Sequence, residues 1–334
     1  MRGSIPRGGT DAVARYLRRV AVQIAFVVIG IAVINFFLLR LAPGDAAQVM
    51  AGEAGSATPE YMAALRKQFG LDQPLYVQFL SYLGNVLTLN LGYSFRQGMP
   101  VSELIAQRLP ATLLLMGTSI AFAVSVGGTL GFLAARHAGR LADTLISALA
   151  LLFYATPVFW IGVMLVVVFS VLLDWLPVGG MASVQANLTG LAYAADVGWH
   201  LILPAATLAL FYLAIYTRLM RASMLEVYGQ DFVRTARAKG VRPYRIALRH
   251  VLRNALLPVV TTLGVQLGSI LGGAILVETV FAWPGLGRLA FEALFQRDLN
   301  LLLGILFCSS LVVVLVNLAV DLAYTVLDPR IELS

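Results

Sequence analysis

Long runs without a charged residue alternate with short charged segments along this chain. Six of the runs are long enough to cross a bilayer, since a hydrocarbon core of about 30 Å needs roughly 20 apolar helical residues. They occupy residues 20–39, 109–135, 144–173, 197–217, 254–277 and 299–320. The pattern predicts an all-α membrane protein with six transmembrane helices, the last of which continues to residue 327.

Two further charge-free stretches are predicted not to cross the membrane. Residues 175–195 contain a proline, two adjacent glycines and two amides, a composition typical of a loop. Residues 73–95 have apolar side chains on one helical face, while Gln78 and Asn85 belong to the other. This amphipathic pattern predicts a helix that lies on the membrane surface.

The distribution of Lys and Arg orients the spans, because cytoplasmic loops are enriched in basic residues. With the N-terminus inside, nine basic residues between Arg218 and Arg253 face the cytoplasm, whereas loop 174–196 contains neither Lys nor Arg. A seventh span at 73–95 would move the nine basic residues outside. Six spans with cytoplasmic N- and C-termini are therefore predicted.

The chain shows no internal repeat or flexible linker that would divide it into separate folding units. Residues 1–108 are predicted to form a cytoplasmic tail, the first span and a large outside segment of short helices. The first span is expected to be an uncleaved anchor, because its 20 residues exceed the apolar core of a signal peptide. Residues 109–328 carry the other five spans and the basic loop 218–253, and residues 329–334 form a cytoplasmic tail.

Composition and charge agree with a membrane protein. Hydrophobic residues make up 59% of the chain and charged residues only 12%, about half the share found in soluble domains. The formal net charge of +7 on such an apolar body favours anionic lipid or a protein partner over nucleic acid. Cys308 is the single cysteine, so the chain forms no internal disulfide.

Residue patterns that would mark an enzyme are missing from the sequence. It contains no Gly-Lys pair and therefore no P-loop for ATP. It has no HExxH or Gly-x-Ser-x-Gly motif, and His137, His200 and His250 lack the spacing of metal ligands, so no metal site is predicted. Asp321 is the one acidic residue in a predicted span, and we interpret it as an interfacial acid near the inner boundary.

Uncharged polar side chains within the spans are candidates for lining a path for a polar solute. The candidates are Thr156, Tyr212, Tyr216, Gln266 and Asn317. Side chains of these types more often form interhelical hydrogen bonds than substrate contacts, and both roles stay open.

The basic loop has a helical periodicity of its own. Four arginines recur at spacings of three, four and four, as one helical stripe: Arg242, Arg245, Arg249 and Arg253. A shorter helix precedes them, and Gly240 and Pro243 separate the two helices as a helix stop and a first-turn proline. This elbow suits anchoring to anionic lipid, worth about 1 kcal/mol per basic residue, or docking onto a partner protein. The sharp turn favours docking.

The stretch DFVRTARAKGVRPYRIALRHVLRNALLP, residues 231–258, resembles the cytoplasmic EAA loop of ABC importer permeases. Thr235, Ala236 and Arg237 stand where Glu-Ala-Ala is usual, which is a form seen in the peptide/nickel branch. The stretches YLRRVAVQIAFVVIGIAVINFFLLRLAPGDAA, ETVFAWPGLGRLAFEALFQRD and NLAVDLAYTVLDPR are similar to that branch as well, so the likeness covers nearly the whole chain. The Pro-Gly-Asp and the long segment 41–108 resemble the dipeptide/oligopeptide B-type permease rather than its partner.

The resemblance implies a type I ABC importer transmembrane fold and a pore-forming subunit that imports peptides by alternating access across the bacterial cytoplasmic (inner) membrane. A homologous second permease would complete a heterodimer, two ATPase subunits would bind ATP and Mg, and an extracytoplasmic binding protein would deliver the substrate. The chain itself would be no enzyme and would need no cofactor.

The resemblance also implies roles for two sets of residues. Coupling to the ATPases would involve Asp231, Thr235, Ala236, Arg237, Lys239, Gly240, Arg242, Arg245, Arg249 and Pro258. The last extracytoplasmic loop would contain Glu278, Trp283, Pro284 and Gly285.

Other functions stay open at this point. Within the same branch the substrate could be a nickel chelate, glutathione or a sugar. Two alternatives belong to different classes. One is an ion-coupled secondary transporter, which would require a well-placed intramembrane acid, for which Asp321 is the candidate. The other is a membrane scaffold that recruits a cytoplasmic partner through the basic elbow.

Overall fold

Helices make up most of the computed structural model, which describes residues 8–41, 58–68, 72–183 and 188–327. The helices are α1 (Gly8–Leu41), α2 (Pro59–Gln68), α3 (Leu75–Leu87), α4 (Val101–Arg136), α5 (Leu141–Ala155), α6 (Val158–Leu165, continued by a π-helix, Val166–Leu172), α7 (Gly190–Tyr228), α8 (Asp231–Ala238), α9 (Pro243–Arg245, continued by a π-helix, Ile246–Leu252), α10 (Arg253–Val280), α11 (Leu286–Gln296) and α12 (Leu299–Leu327). Strands β1 (Tyr93–Ser94) and β2 (Met99–Pro100) pair as an antiparallel hairpin. The helical fold is as predicted, and the hairpin is an addition that the sequence pattern did not indicate.

The first of two compact units comprises Met1–Gln107 together with Glu292–Ser334. In it α1 packs against α3 and α12. Asn35 Nδ2 donates a hydrogen bond of 3.2 Å to the carbonyl oxygen of Leu303, and the ring of Phe36 meets that of Phe79 edge-on. A helix within residues 73–95 is thus confirmed, while its attachment to the membrane surface stays a prediction.

The second unit, Arg108–Phe291, is built around α7, which packs against α5, α6 and α10. Helix α7 has 39 residues. At a rise of 1.5 Å per residue its length is roughly 58 Å, almost twice the thickness of a hydrocarbon core. The predicted span 197–217 is therefore only the middle of a longer helix. Leu208, Tyr216 and Met224 are buried along it, so its packing continues towards the basic loop.

Two glycines bring α4 into direct contact with the backbone of α7. A Cβ atom on Gly127 would lie 2.8 Å from the carbonyl oxygen of Leu213, and one on Gly131 would lie 2.5 Å from the carbonyl oxygen of Thr217. The two glycines are one turn apart on the same face of α4, the spacing that lets membrane helices approach closely. Only glycine leaves room for this contact.

The third predicted span, residues 144–173, departs from the expectation of one helix. The structure divides it into α5 and α6, whose axes are bent by 103° at Thr156 and Pro157. Proline has no N–H for the helical ladder and disfavours helical geometry at the preceding residue. Thr156 accordingly has an extended backbone, with φ of −87° and ψ of 131°. The single-helix prediction is wrong at this point.

The predicted loop 175–195 is shorter than expected. Helix α7 begins at Gly190, so the last six residues of the stretch are helical. In the described part of the loop, the N–H of Gly180 donates a hydrogen bond of 2.8 Å to the carbonyl oxygen of Phe281. Residues 184–187 lie outside the described set.

Within the described ranges, three helices are long and apolar enough to cross a membrane: α4, α7 and the Leu299–Ala319 part of α12. The bent pair α5–α6 is a fourth if it is taken as one broken span. In the predicted spans 20–39 and 254–277, some of the side chains lie outside the described set. The side chain of Asp321 lies outside it as well.

Candidate functional site

The basic loop forms a sharp elbow between α8 and α9. Gly240 has a φ of 71°, a left-handed conformation that only glycine adopts without strain. The N–H of Val241 donates to the carbonyl oxygen of Ala236 (3.2 Å), and the N–H of Gly240 donates to that of Arg237 (3.0 Å). These two bonds make a Schellman motif, which satisfies the last carbonyls of α8. Pro243 then starts α9 at its first turn, so the predicted helix–Gly–Pro–helix geometry is confirmed.

One face of the elbow packs against the core of the second unit. Val233 of α8 and Val251 of the following π-helix are fully buried, and Ile246 is nearly so. At roughly 1.5–3 kcal/mol for each large aliphatic side chain buried, these contacts are enough to hold the elbow in one orientation. The elbow is thus a seated element rather than a free loop.

The other face of the elbow carries charge. Nine of the ten predicted coupling residues are exposed: Asp231, Thr235, Arg237, Lys239, Gly240, Arg242, Arg245, Arg249 and Pro258. Ala236 faces the core, and Pro258 lies inside α10, away from the turn. Arg234 and Asp231 form an exposed ion pair of 3.4 Å, which contributes little to stability because water screens it. The charged face is therefore available to a ligand or partner.

An ion pair that the sequence reasoning missed holds the end of α7 to the start of α5. Arg221 Nε donates to Asp143 Oδ1 (2.5 Å), and Arg221 Nη2 donates to Oδ2 (2.8 Å). The N–H of Gly139 also donates to Oδ2, at 3.0 Å. Asp143 precedes the predicted span 144–173, and the hydrogen bonds from Arg221 and then Gly139 hold the pKa of its carboxyl well below its usual range, against the effect of burial.

Two arginine–aromatic contacts attach the elbow to the ends of α4 and α7. The guanidinium of Arg136, the last residue of α4, lies 5.7 Å from the ring centroid of Tyr244 in α9. The guanidinium of Arg237 in α8 lies 5.8 Å from the ring centroid of Tyr228, the last residue of α7. Such contacts contribute about 0.5–1 kcal/mol each at exposed sites. The elbow is therefore attached to the ends of both α4 and α7.

A buried carboxylate organises the other predicted site, at the end of α10. Glu278 is fully buried, and its Oε1 accepts a hydrogen bond of 2.7 Å from Thr112 Oγ1. Its Oε2 accepts one of 2.8 Å from the N–H of Arg288 in the first turn of α11. Thr112 Oγ1 in turn accepts from the N–H of Leu286 (2.7 Å). A carboxylate at a helix N-terminus is favoured by the helix dipole, so the group caps α11.

The neighbouring predicted residues are part of the same arrangement. Trp283 is fully buried and donates from Nε1 to the carbonyl oxygen of Ala111 (2.9 Å). A Cβ atom on Gly285 would overlap the carboxyl group of Glu278, so glycine is required there. Pro284 is half-buried between them. These residues form a turn that is held by hydrogen bonds to α4 and α11.

The pore-lining candidates are distributed over several helices. Tyr212 and Tyr216 are buried in the packing around α7, and Thr156 lies at the break between α5 and α6, where its Oγ1 donates to the carbonyl oxygen of Leu152. Gln266 is half-buried in α10, and Asn317 is exposed in α12. Their role as pore lining stays a prediction.

Among the described residues, no group of three or more His, Cys, Asp or Glu side chains could hold a metal ion. His200 is close to Asp196 of the preceding turn, with 3.5 Å between Nδ1 and Oδ1. Cys308 is half-buried in α12 as a free thiol.

These features, apolar helices long enough to cross a membrane and a seated basic elbow, are those of a polytopic membrane protein. The chain belongs to the family described as the binding-protein-dependent transport system inner membrane component, whose sequence profile matches residues 127–333. The profile of the N-terminal part of such membrane components matches residues 13–116.

Relatives match nearly the whole chain. The dipeptide transport system permease protein DppB of Escherichia coli (strain K12) is 42% identical over 321 residues, which cover 91% of this chain and 94% of DppB. The oligopeptide transport system permease protein AppB of Bacillus subtilis (strain 168) is 40% identical over 324 residues, which cover 96% of this chain and 99% of AppB. A solved structure of the MetNI methionine ABC transporter in inward-facing conformations is similar in fold, with a TM-score of 0.54, 18% identity and coverage of 67% of this chain and 96% of that one.

Proposed function

We propose that the chain is the pore-forming permease subunit of an ATP-driven peptide importer in the bacterial cytoplasmic membrane, with six spans and cytoplasmic termini. The observation that carries the proposal is the likeness to DppB and AppB over more than nine tenths of the chain. Their names refer to dipeptide and oligopeptide transport. Peptides are accordingly the substrate class that we propose, ahead of nickel chelates, glutathione and sugars.

Separate ATPase subunits supply the energy in this proposal. The chain contains no Gly-Lys pair, so a P-loop must come from another polypeptide. Two such subunits bind ATP and Mg, a second permease completes the pore as a heterodimer, and an extracytoplasmic binding protein delivers the peptide. The exposed face of the elbow, around Gly240, is the surface on which an ATPase subunit docks.

Closure of the ATPases on ATP would push the elbow, and the contacts of the elbow determine what moves with it. Its buried face and its contact with Tyr228 pass the displacement to α7, and the ion pair between Asp143 and Arg221 passes it to α5. The break at Pro157 lets α5 turn relative to α6, because no helical hydrogen-bond ladder stiffens that junction. Helix rotation of this kind alternates the access of a pore between the two sides.

The experiment is uptake by the complete complex in proteoliposomes, with its two permeases, ATPases and binding protein. We expect accumulation of a labelled dipeptide that requires internal ATP and persists when the proton gradient is collapsed. Accumulation that follows the proton gradient and ignores ATP depletion would instead identify a secondary transporter. An intact complex that moves no peptide, chelate, glutathione or sugar would favour the scaffold alternative.

A further inference from the structure

An apolar groove with a volume of about 390 Å³ lies beside the elbow in the second unit. One wall belongs to α4, with Ser125 and Phe132. The opposite wall belongs to the π-helix and the start of α10, and α7 contributes the floor at Met220. Leu248, Leu252 and Leu256 recur along the opposite wall at intervals of four residues, so the groove follows the helix direction.

The groove ends at a cation. Phe132 is one turn before Arg136 on α4, and Leu248 is one turn after Tyr244 on the facing wall. Arg136 and Tyr244 are themselves in contact, with 5.7 Å between the guanidinium carbon and the ring centroid. Their contact therefore closes the groove at the end nearest the elbow.

Further arginines lie beside the leucine wall. Arg249 directly follows Leu248 at this end and Arg253 directly follows Leu252 one turn further along, so both lie about 100° around the helix from the groove leucines, and both are exposed. The sequence has no Asp or Glu between Asp231 and Glu278 and none between Glu103 and Asp143, so neither wall carries a carboxylate at this level. The groove thus combines an apolar channel with a positively charged mouth that nothing on its walls neutralises.

We propose that this arginine-rimmed groove binds one anionic phospholipid of the cytoplasmic leaflet. An acyl chain would lie along the leucines, and the headgroup phosphate would accept hydrogen bonds from Arg136, Arg249 and Arg253. Basic pockets between helices at the cytoplasmic face are matched to negatively charged headgroups, which that leaflet supplies. The inference rests on the proposed topology, in which the elbow lies on the cytoplasmic side.

The test uses a fluorescent reporter in the groove of the full-length chain. Phe132→Trp adds an indole at the lining, and the parent chain, whose four tryptophans are elsewhere, gives the background to subtract. Both proteins are reconstituted in phosphatidylcholine bilayers that contain brominated phosphatidylglycerol or brominated phosphatidylcholine as quencher. We expect the anionic lipid to quench the added indole preferentially. Arg249→Gln or Arg253→Gln should each lower that preference about fivefold, the effect of about one arginine at the membrane surface.

Matched variants separate a site from general attraction to the surface. Arg234→Gln removes the same charge from α8, away from the groove, and should leave the preference unchanged. Ser125→Phe fills the groove and should reduce quenching by either lipid, whereas Ser125→Ala should not. Because Ser125 is exposed, the larger side chain does not require repacking of the core.

Three results would overturn the lipid site. The first is equal quenching of the added indole by the two lipids, and the second is an equal effect of Arg234→Gln and Arg249→Gln. The third is loss of quenching in the co-purified transport complex, which would assign the groove to a protein neighbour. None of these measurements uses transport, so a complex that imports peptide but shows equal quenching refutes the lipid site alone.

Discussion

The elbow at Gly240 provides the sharpest test of how this chain would couple to an ATPase. At a φ of 71°, an L-residue other than glycine costs about 1–2 kcal/mol. No atom lies within 4 Å of the position that a Cβ would take, so Gly240→Ala adds backbone strain and no clash within the chain. A strain of that size changes the population of the elbow conformation by about 5- to 30-fold.

Gly98, in the turn of the β1–β2 hairpin, is a matched control. It has a φ of 65°, and it too has no atom within 4 Å of a Cβ position. Gly98→Ala therefore carries the same backbone cost at a site outside the elbow. Gly240→Asn is a second control, since asparagine tolerates the left-handed conformation better than alanine does.

The assay is peptide taken up per ATP hydrolysed by the reconstituted complex. We expect Gly240→Ala to lower uptake about fivefold or more, while Gly240→Asn and Gly98→Ala keep most of it. Gly240→Trp should lower uptake more than Gly240→Ala does only if a partner occupies the open space beside residue 240. Equal uptake by Gly240→Ala, Gly240→Trp and the unmodified chain, or equal losses for Gly240→Ala and Gly98→Ala, would show that uptake does not depend on the elbow conformation.

Three further predictions concern the frame that holds the elbow and the last loop. Asp143→Asn should lower the free energy of unfolding by about 1 kcal/mol, a value discounted for the partial exposure of Arg221. Exchanging the charges of residues 143 and 221 should restore part of that free energy. Because the ion pair lowers the pKa of Asp143, the stabilisation that it contributes is complete above the ordinary aspartate pKa of about 4 and is lost as the pH falls through the lower folded-state pKa. If Asp143→Asn and the parent chain had the same unfolding free energy near neutral pH, the ion pair would not stabilise the fold. Gly131→Ala should push α4 away from α7 and lower the unfolding free energy by about 1–3 kcal/mol. Gly117→Ala is the control, because Gly117 lies in the same helix with open space around it, and this variant should be neutral. Equal melting temperatures of the two variants would argue against the close contact. Gly285→Ala should clash with a buried carboxyl group and reduce the folded fraction in detergent chromatography, so an unchanged elution profile would count against the glycine requirement.

Local chemistry made the elbow predictable. Gly240 and Pro243 specify a helix end and a helix start by their own backbone preferences, so their positions in the sequence were enough. The amphipathic segment within residues 73–95 was predictable for a similar reason, because helical periodicity is local. Charge placement, in contrast, predicted only which loops share a side of the membrane.

Long-range contacts lay beyond the sequence pattern. Asp143 and Arg221 are separated by 78 residues, and nothing in either neighbourhood indicates that they meet. Glu278 and Thr112 are likewise distant, although a carboxylate directly after an apolar span was a signal that it needed partners. The break at Pro157 was visible as a proline inside a charge-free run, but the length of that run favoured one helix.

Crosslinking from the exposed face of the elbow tests whether an ATPase subunit docks there. A photoreactive residue replaces Phe232, whose side chain is 40% exposed, and a matched one replaces Tyr93, which is 41% exposed in the hairpin. The complete complex is illuminated during ATP-driven uptake, and the captured polypeptides are identified by mass spectrometry. We expect position 232 to capture a P-loop ATPase subunit and position 93 not to capture one. An intact complex that imports peptide while position 232 captures no ATPase subunit would contradict docking at the elbow.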